Sequence, residues 1–166
     1  MNISFYLEKL RDSKEFKDFI KKNSKAYMCS AFFIIDYEKF ENKQHLDFYS
    51  PNTKEIFSFK LEDGIKKEVL NNYNEKVLEK LSLNYEIEFE EIEKILNKKM
   101  DKEKVTNKIQ KILISLQKFE NKDLLTLTVF ISGLGILKVI IDPVEKKVLE
   151  FEKKSFFDML KFVKKG

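Results

Sequence analysis

Residues 26–37, AYMCSAFFIIDY, form an apolar run rich in aromatic and β-branched side chains. Such side chains favour a β-strand, and the run is too short to cross a membrane. Residues 45–50 and 54–61 are predicted to form two further strands around a turn that begins at Pro51, because proline fixes one backbone torsion there. The stretch therefore predicts an antiparallel meander of three strands that starts with a central strand.

Amphipathic helices are predicted on both sides of this meander. Residues 3–22 place apolar side chains at helical spacing, with a break near Asp12 that fits one interrupted helix or two short ones. After the meander, residues 64–72 and 75–83 are predicted to form two short helices. The predicted order of the first half is therefore helix, three strands, helix.

The second half is predicted to repeat this order. Helices are expected over residues 88–98 and 102–118, the second on the helical spacing of its apolar side chains. The predicted strands cover three segments, residues 124–132, 136–141 and 147–152. A terminal amphipathic helix is predicted to begin at Ser155.

Two segments of the predicted meanders also match in sequence. FYSPNTKEIFSF, residues 48–59, and IIDPVEKKVLEF, residues 140–151, share a proline, a lysine and a final phenylalanine. Together with the repeated order, the match predicts an internal duplication. A meander needs a Pro/Asn turn between apolar strands in any case, so similarity without common descent stays open.

The predicted fold class is α+β, with antiparallel meanders and helices packed on the sheet. Residues 1–166 are predicted to form a single compact domain. It is expected to consist of two repeats, about residues 1–72 and 86–166, joined by a short helical linker. Each repeat is predicted to be a helix–three-strand–helix unit.

Residues 140–151, after the predicted helix segment EFEEIEKIL at 88–96, resemble the PepSY domain. The resemblance spans residues 86–152, with a fainter echo at 47–59, and departs from the family at Lys146, where PepSY domains usually have glycine. AYMCSAFF followed by HLDFYSP also resembles small uncharacterised archaeal proteins. The PepSY resemblance implies a noncatalytic module associated with peptidase propeptides and with protein binding in the cell envelope.

Charge and composition limit the possible partners and locations. The net charge of +4 is the difference between 32 basic and 28 acidic residues, and Arg11 is the only arginine, so the surface is a poor candidate for sequence-specific nucleic-acid binding. Charged residues interrupt the apolar stretches near the N-terminus, and no apolar run is long enough for a membrane span. These features predict a cytoplasmic location.

Candidate chemical groups are few. Cys29, Asp36 and His45 are the only set from which a thiol nucleophile, a base and an orienting group could be drawn, and Cys29 is predicted to be an inert core thiol because it lies within an apolar strand. One cysteine and one histidine exclude the common thiolate and imidazole metal sites. The sequence therefore predicts no catalytic, cofactor or metal site.

Three other patterns are predicted to be structural. Gly133-Leu134-Gly135 is predicted to be a hairpin turn, because a phosphate loop needs a helix directly after it. The glutamates at Glu88, Glu90, Glu91 and Glu93 are expected on a solvated helix face. The basic positions, which interleaved acids are expected to neutralise, are Lys98, Lys99, Lys102, Lys104, Lys146, Lys147, Lys153 and Lys154.

The sequence as a whole predicts a noncatalytic protein- or peptide-binding module that acts through a sheet edge or a groove between the repeats, or that self-associates. Two alternatives stay open: a weak, lysine-driven nucleic-acid binder, and an enzyme whose catalytic groups meet only in space.

Overall fold

The computed structural model describes residues 2–72, 77–86 and 88–155. These residues form three helices, α1 (Ile3–Asp12), α2 (Lys14–Lys22) and α3 (Phe89–Lys102). The eight strands are β1 (Tyr27–Asp36), β2 (Lys43–Ser50), β3 (Glu55–Lys60), β4 (Lys66–Leu70), β5 (Ile109–Phe119), β6 (Lys122–Ile131), β7 (Gly135–Asp142) and β8 (Lys147–Ser155). All strands join one antiparallel sheet in the order β4-β3-β2-β1-β5-β6-β7-β8, so the predicted α+β class is confirmed.

Two short helices, rather than one interrupted helix, form the N-terminus. Ser13 divides them: its hydroxyl accepts the backbone N–H of Phe16 at 3.1 Å and donates to the carbonyl of Leu10 at 2.6 Å. It therefore ends α1 and caps α2, because the first N–H groups of a helix have no partner within the helix.

The centre of the sheet joins the two halves of the chain. β1 pairs with β5 from Ser30 opposite Gln117 to Asp36 opposite Lys111. From this pair the first half extends outward through β2, β3 and β4, and the second half through β6, β7 and β8. Each half therefore supplies four neighbouring strands.

The helices cover one face of this sheet. Side chains alternate between the faces of a strand, and in β6 the members that face the helices, Leu125, Leu127, Val129 and Ile131, are buried. The helices complete the same core through Leu10, Phe19, Ile92 and Leu96.

The prediction of a helix over residues 64–72 is wrong, because this segment contains β4. The spacing of Ile65, Val69 and Leu70 fits a helix, but β3 offers a free edge with which the segment forms backbone hydrogen bonds. Lys67 then lies with its ammonium 5.7 Å from the centre of the Phe57 ring. The first meander therefore has four strands, not three.

The prediction of a helix over residues 102–118 is also wrong. α3 is longer than predicted and ends at Lys102, and β5 follows at Ile109. The apolar residues in and just before KILISLQ, residues 111–117, fit both a helical spacing and the alternation of a strand. The fully buried residues, Ile112, Ile114 and Leu116, follow the strand alternation. Burial against the helices and pairing with β1 decide in favour of the strand.

The predicted helical linker at 75–83 is wrong over residues 77–83, which form neither helix nor named strand. Residues 75 and 76 lie outside the described part of the chain. The predicted terminal helix lies there too, since residues 156–166 are not described, whereas Ser155 itself ends β8.

The two matched segments occupy different places in the sheet. Residues 48–59 form the β2–β3 hairpin and residues 140–151 form the β7–β8 hairpin, one strand further from the centre. Both turns contain a lysine with positive φ, 58° at Lys54 and 54° at Lys146. The matched segments therefore share a turn conformation but not a position in the strand order.

Candidate functional site

The predicted inert thiol, Cys29, is buried in β1. It is 3% exposed, and its Sγ lies 3.5 Å from the backbone carbonyl oxygen of Asp47. Burial, followed by the charge of Asp47, raises the pKa of the thiol to about 12. The thiolate that nucleophilic catalysis needs is therefore scarce near neutral pH.

Cys29 is expected to resist alkylation in the folded protein for the same reason. Iodoacetamide at pH 8, followed by mass spectrometry, should leave folded protein unlabelled and should label the protein in concentrated guanidinium within minutes. Rapid labelling of the folded protein, at a rate close to that of the unfolded chain, would contradict the buried thiol.

The three members of the predicted thiol set do not come together. Asp36 lies at the other end of β1 from Cys29, roughly 23 Å away at the usual rise of a strand. Its carboxylate pairs with Lys111 at 2.8 Å and accepts the backbone N–H groups of two residues in the following turn. His45 instead faces Glu62, with 3.0 Å between Nε2 and Oε1.

Asp36 gives the fold a dependence on acid pH. The hydrogen bond from Lys111, with help from the turn N–H groups, lowers the pKa of Asp36 to about 2. An unfolded Asp titrates at about 3.9, so this stabilisation is complete above pH 4 and is lost as the pH falls towards 2. Urea unfolding between pH 5 and pH 2 measures this effect. The free energy of unfolding of Asp36→Asn should fall less with acid than that of wild type, and the slope of this free energy against pH should be intermediate for Lys111→Gln. Identical slopes for the three proteins would contradict this assignment.

The other predicted structural patterns also have defined places. Gly133-Leu134-Gly135 connects β6 to β7, with φ of 78° at Gly133, and the hairpin prediction is confirmed. Of the glutamates, Glu91 pairs with Lys146 at 2.8 Å and Glu93 accepts the hydroxyl of Tyr37. No group of three potential metal ligands occurs among the residues that the structure describes.

Acidic partners neutralise part of the predicted basic cluster. Lys99 lies 2.5 Å from Glu103, and Lys154 lies 3.4 Å from Glu152. The cluster is therefore a mixed surface rather than a continuous positive field.

A groove lies between the N-terminal helices and the start of β1. It has a volume of about 590 Å³ and is open to solvent. Apolar side chains form its floor and walls, among them Leu7, Phe16, Ile20, Ala26, Leu81 and Leu83. This volume lies within the range of pockets that hold small ligands or side chains.

The rim of this groove is positively charged, and we call the site the cationic groove. Arg11, Lys17, Lys21 and Lys80 line it, and no acidic residue appears among its described lining residues. Asp18 lies nearby and pairs with Lys21 at 3.3 Å, in an exposed contact that is weak in water. The site therefore combines an apolar floor with a cationic edge.

The wall formed by residues 80–83 is held by specific hydrogen bonds. The N–H of Leu81 donates to the carbonyl of Met28 at 3.0 Å. The buried carboxylate of Asp123 accepts the N–H groups of Ser82 and Leu83 at 2.8 and 3.1 Å and the hydroxyl of Tyr85 at 2.9 Å. A carboxylate from the second half of the chain thus fixes the groove wall.

A second cleft, of about 450 Å³, lies between α1 and α3. Its aromatic floor includes Phe33 and Phe89, whose ring centroids are 4.9 Å apart. Lys9 and Glu90 are both among its lining residues, so the cleft has no single charge preference. It is therefore a less selective candidate than the cationic groove.

The sequence did not predict the cationic groove. Its walls come from α1, α2, β1, β2 and residues 80–83, segments that no short motif connects. The one available signal was Arg11, the single arginine among 32 basic residues. Its place at a groove becomes visible only in the fold.

No helix of the described residues has the length and apolar character needed to cross a membrane.

No protein-family model matches the chain, and no curated protein matches it. A crystal structure of a "putative lipoprotein" from Clostridium difficile 630 is similar, with a TM-score of 0.57 and 14% sequence identity. The similarity covers 84% of this chain and 90% of that protein. At this identity the comparison shows the fold alone: the chain shares its α+β architecture with that lipoprotein.

Proposed function

We propose that the protein is a noncatalytic, PepSY-like module that binds a peptide segment in the cationic groove. The observation that carries the proposal is the groove itself, about 590 Å³ with an apolar floor next to a charged rim. Binding sites typically combine apolar burial with a few polar groups that orient the ligand. Neither Cys29 nor His45, the two side chains best suited to nucleophilic or proton-transfer chemistry, lines it.

A peptide suits this groove better than a nucleic acid does. Sites for single-stranded nucleic acid combine a cationic groove with exposed aromatic side chains on which bases stack. The groove phenylalanines Phe16 and Phe48 are only 8% and 5% exposed, and the half-buried Tyr27 donates its hydroxyl to the carbonyl of Leu78. The two phenylalanine rings pack into the core, with centroids 4.9 Å apart. Apolar peptide side chains need only a floor of this kind.

Filling the groove tests the proposal. Ala26 is the smallest residue of its lining, and Ala26→Trp places a large ring in the cavity. Ser24→Trp is the matched control, since Ser24 is exposed and is not among the lining residues. Selection from a displayed random heptapeptide library should yield peptides that bind wild type and Ser24→Trp but not Ala26→Trp. Equal binding to all three proteins, or no enriched peptide, would reject the groove as the site.

The PepSY-like assignment is supported by the β7–β8 turn. Asp142 accepts the N–H groups of Val144 and Glu145 at 2.9 and 3.0 Å, and Lys146 then takes a positive φ. Glycine is the residue that adopts positive φ most readily. Position 146, where PepSY domains usually have glycine, therefore has a backbone conformation that favours glycine.

We also propose that the two halves arose by duplication of a unit with one or two helices and four strands. The support is the outward order β1 to β4 and β5 to β8 around the central pair. Superposing residues 14–70 on residues 89–155 tests it: strand should match strand in sequence order. A match confined to the β2–β3 and β7–β8 hairpins would reject it.

A cytoplasmic location remains the prediction made from the sequence. The similar Clostridium difficile structure is named a "putative lipoprotein". Fractionating the native cells and detecting the protein with an antibody tests the prediction, and recovery in the membrane or secreted fraction would reject it.

A further inference from the structure

We propose that the peptide bound in the cationic groove is acidic: a hydrophobic side chain fills the groove and a neighbouring carboxylate pairs with Arg11. This inference rests on the proposed function, since it specifies the ligand of the same groove. It adds the charge of the ligand and the residue that recognises it.

The first support is the one-sided charge of the rim. Four cationic side chains and no described acidic one line a groove in a protein whose basic and acidic residues, 32 and 28, are nearly balanced. An acidic ligand reduces the repulsion among these cations, whereas a basic ligand adds to it. The charge of the groove therefore selects for acidic peptides.

The second support is the place and state of Arg11. The guanidinium presents a planar fork of donors that matches a carboxylate with two parallel hydrogen bonds, which an ammonium cannot reproduce. Arg11 lies at the end of α1, exposed, and no ion pair joins it to any acidic side chain in the described chain, including Glu8 one turn earlier. Its donors are available to a ligand.

Two of the other three rim cations are less free. Lys17 donates to the backbone carbonyl of Asp12 at 2.9 Å, and Lys21 pairs with Asp18. Arg11, with its free planar fork, is therefore the group best suited to recognise a carboxylate, and Lys80 adds a further positive charge to the groove lining. Leu7 and Leu83 are apolar lining residues near Arg11. They receive the hydrophobic side chain of the peptide, next to the carboxylate that Arg11 binds.

The experiment compares peptides enriched from the random heptapeptide library on wild type, Arg11→Gln and Arg11→Lys. Wild type should enrich peptides with Asp or Glu beside a large hydrophobic residue. Arg11→Gln should weaken binding of the most enriched acidic peptide by about tenfold or more, the usual effect of losing a charge-assisted hydrogen bond. Arg11→Lys should recover only part of this loss, because the charge returns without the fork.

Two controls separate recognition from general attraction. Lys108→Gln removes one charge from an exposed site outside the groove and should leave binding unchanged. A peptide with Gln in place of each acidic residue should bind wild type about as weakly as the acidic peptide binds Arg11→Gln. Equal losses for Lys108→Gln and Arg11→Gln would overturn the role of Arg11.

The outcomes also distinguish this inference from the proposed function. Enrichment of hydrophobic peptides without acidic residues, blocked by Ala26→Trp, would overturn the acidic ligand and leave the peptide-binding groove in place. Failure of every library peptide to distinguish wild type from Ala26→Trp would overturn both.

Discussion

Replacing Phe59 with alanine is expected to lower the free energy of unfolding by about 3 to 5 kcal/mol. Phe59 is fully buried in β3, and its ring centroid lies 5.4, 5.2 and 5.7 Å from those of Phe16, Phe19 and Phe48. The substitution removes a large apolar side chain and leaves a cavity between α2 and the sheet. Urea unfolding followed by circular dichroism measures the loss.

Phe119→Ala provides the matched control for this prediction. Phe119 ends β5 with 64% of its surface exposed, so the same change there should alter stability by no more than about 0.5 kcal/mol. Similar losses for the two variants would show that Phe59 does not join α2 to the sheet.

Replacing Asp123 with alanine is expected to cost roughly 3 kcal/mol, because a buried charge pair then loses one partner. Asp123 is 5% exposed, and the change leaves two backbone N–H groups and the Tyr85 hydroxyl without their acceptor. Lys118, whose ammonium lies 3.7 Å from the carboxylate, loses its counter-charge. Urea unfolding measures the change in stability.

Asp123→Asn should be milder, at roughly 1 to 2 kcal/mol, because an amide oxygen still accepts some of these hydrogen bonds. Asp123 also fixes the groove wall at residues 82 and 83, so the alanine variant should bind library peptides more weakly even where it remains folded. Unchanged stability and unchanged peptide binding in the alanine variant would contradict this positioning role.

The central strand and the hairpin turns were predictable because the local signals agree. In β1 the composition and the length both favour a strand, and turn residues such as Pro51 mark where the chain reverses. In β5 the local signals conflict: Ile109, Ile112 and Leu116 fit a helix, whereas Ile112, Ile114 and Leu116 fit a strand. The pairing with β1, distant in sequence, decides between them.

The outer strand β4 shows a different limit of sequence reasoning. All its residues are exposed, so burial leaves no alternating pattern in KKEVL. Only the free edge of β3 makes this segment a strand. The lysines at 66 and 67 suit an edge, where charged side chains oppose pairing with other molecules.

The candidate site was the least predictable part of the molecule. Cys29, Asp36 and His45 stood out by chemistry, but each has its own structural partner in the fold. The groove was hidden because its floor consists of ordinary apolar residues that also mark helices and strands. Asp123 gave no local signal, since its hydrogen-bond partners lie near residue 83, about 40 positions earlier.

The pairing of β1 with β5 has a consequence for synthesis on the ribosome. When β1 to β4 have emerged, β1, which belongs in the middle of the sheet, still has no neighbour on one side. Its partner β5 lies about 80 positions after β1 in the chain. An unpaired, apolar strand edge attracts other chains during such an interval. Nascent chains halted before β5 are therefore expected to aggregate or to recruit chaperones, and release should follow once residues 109–119 leave the exit tunnel.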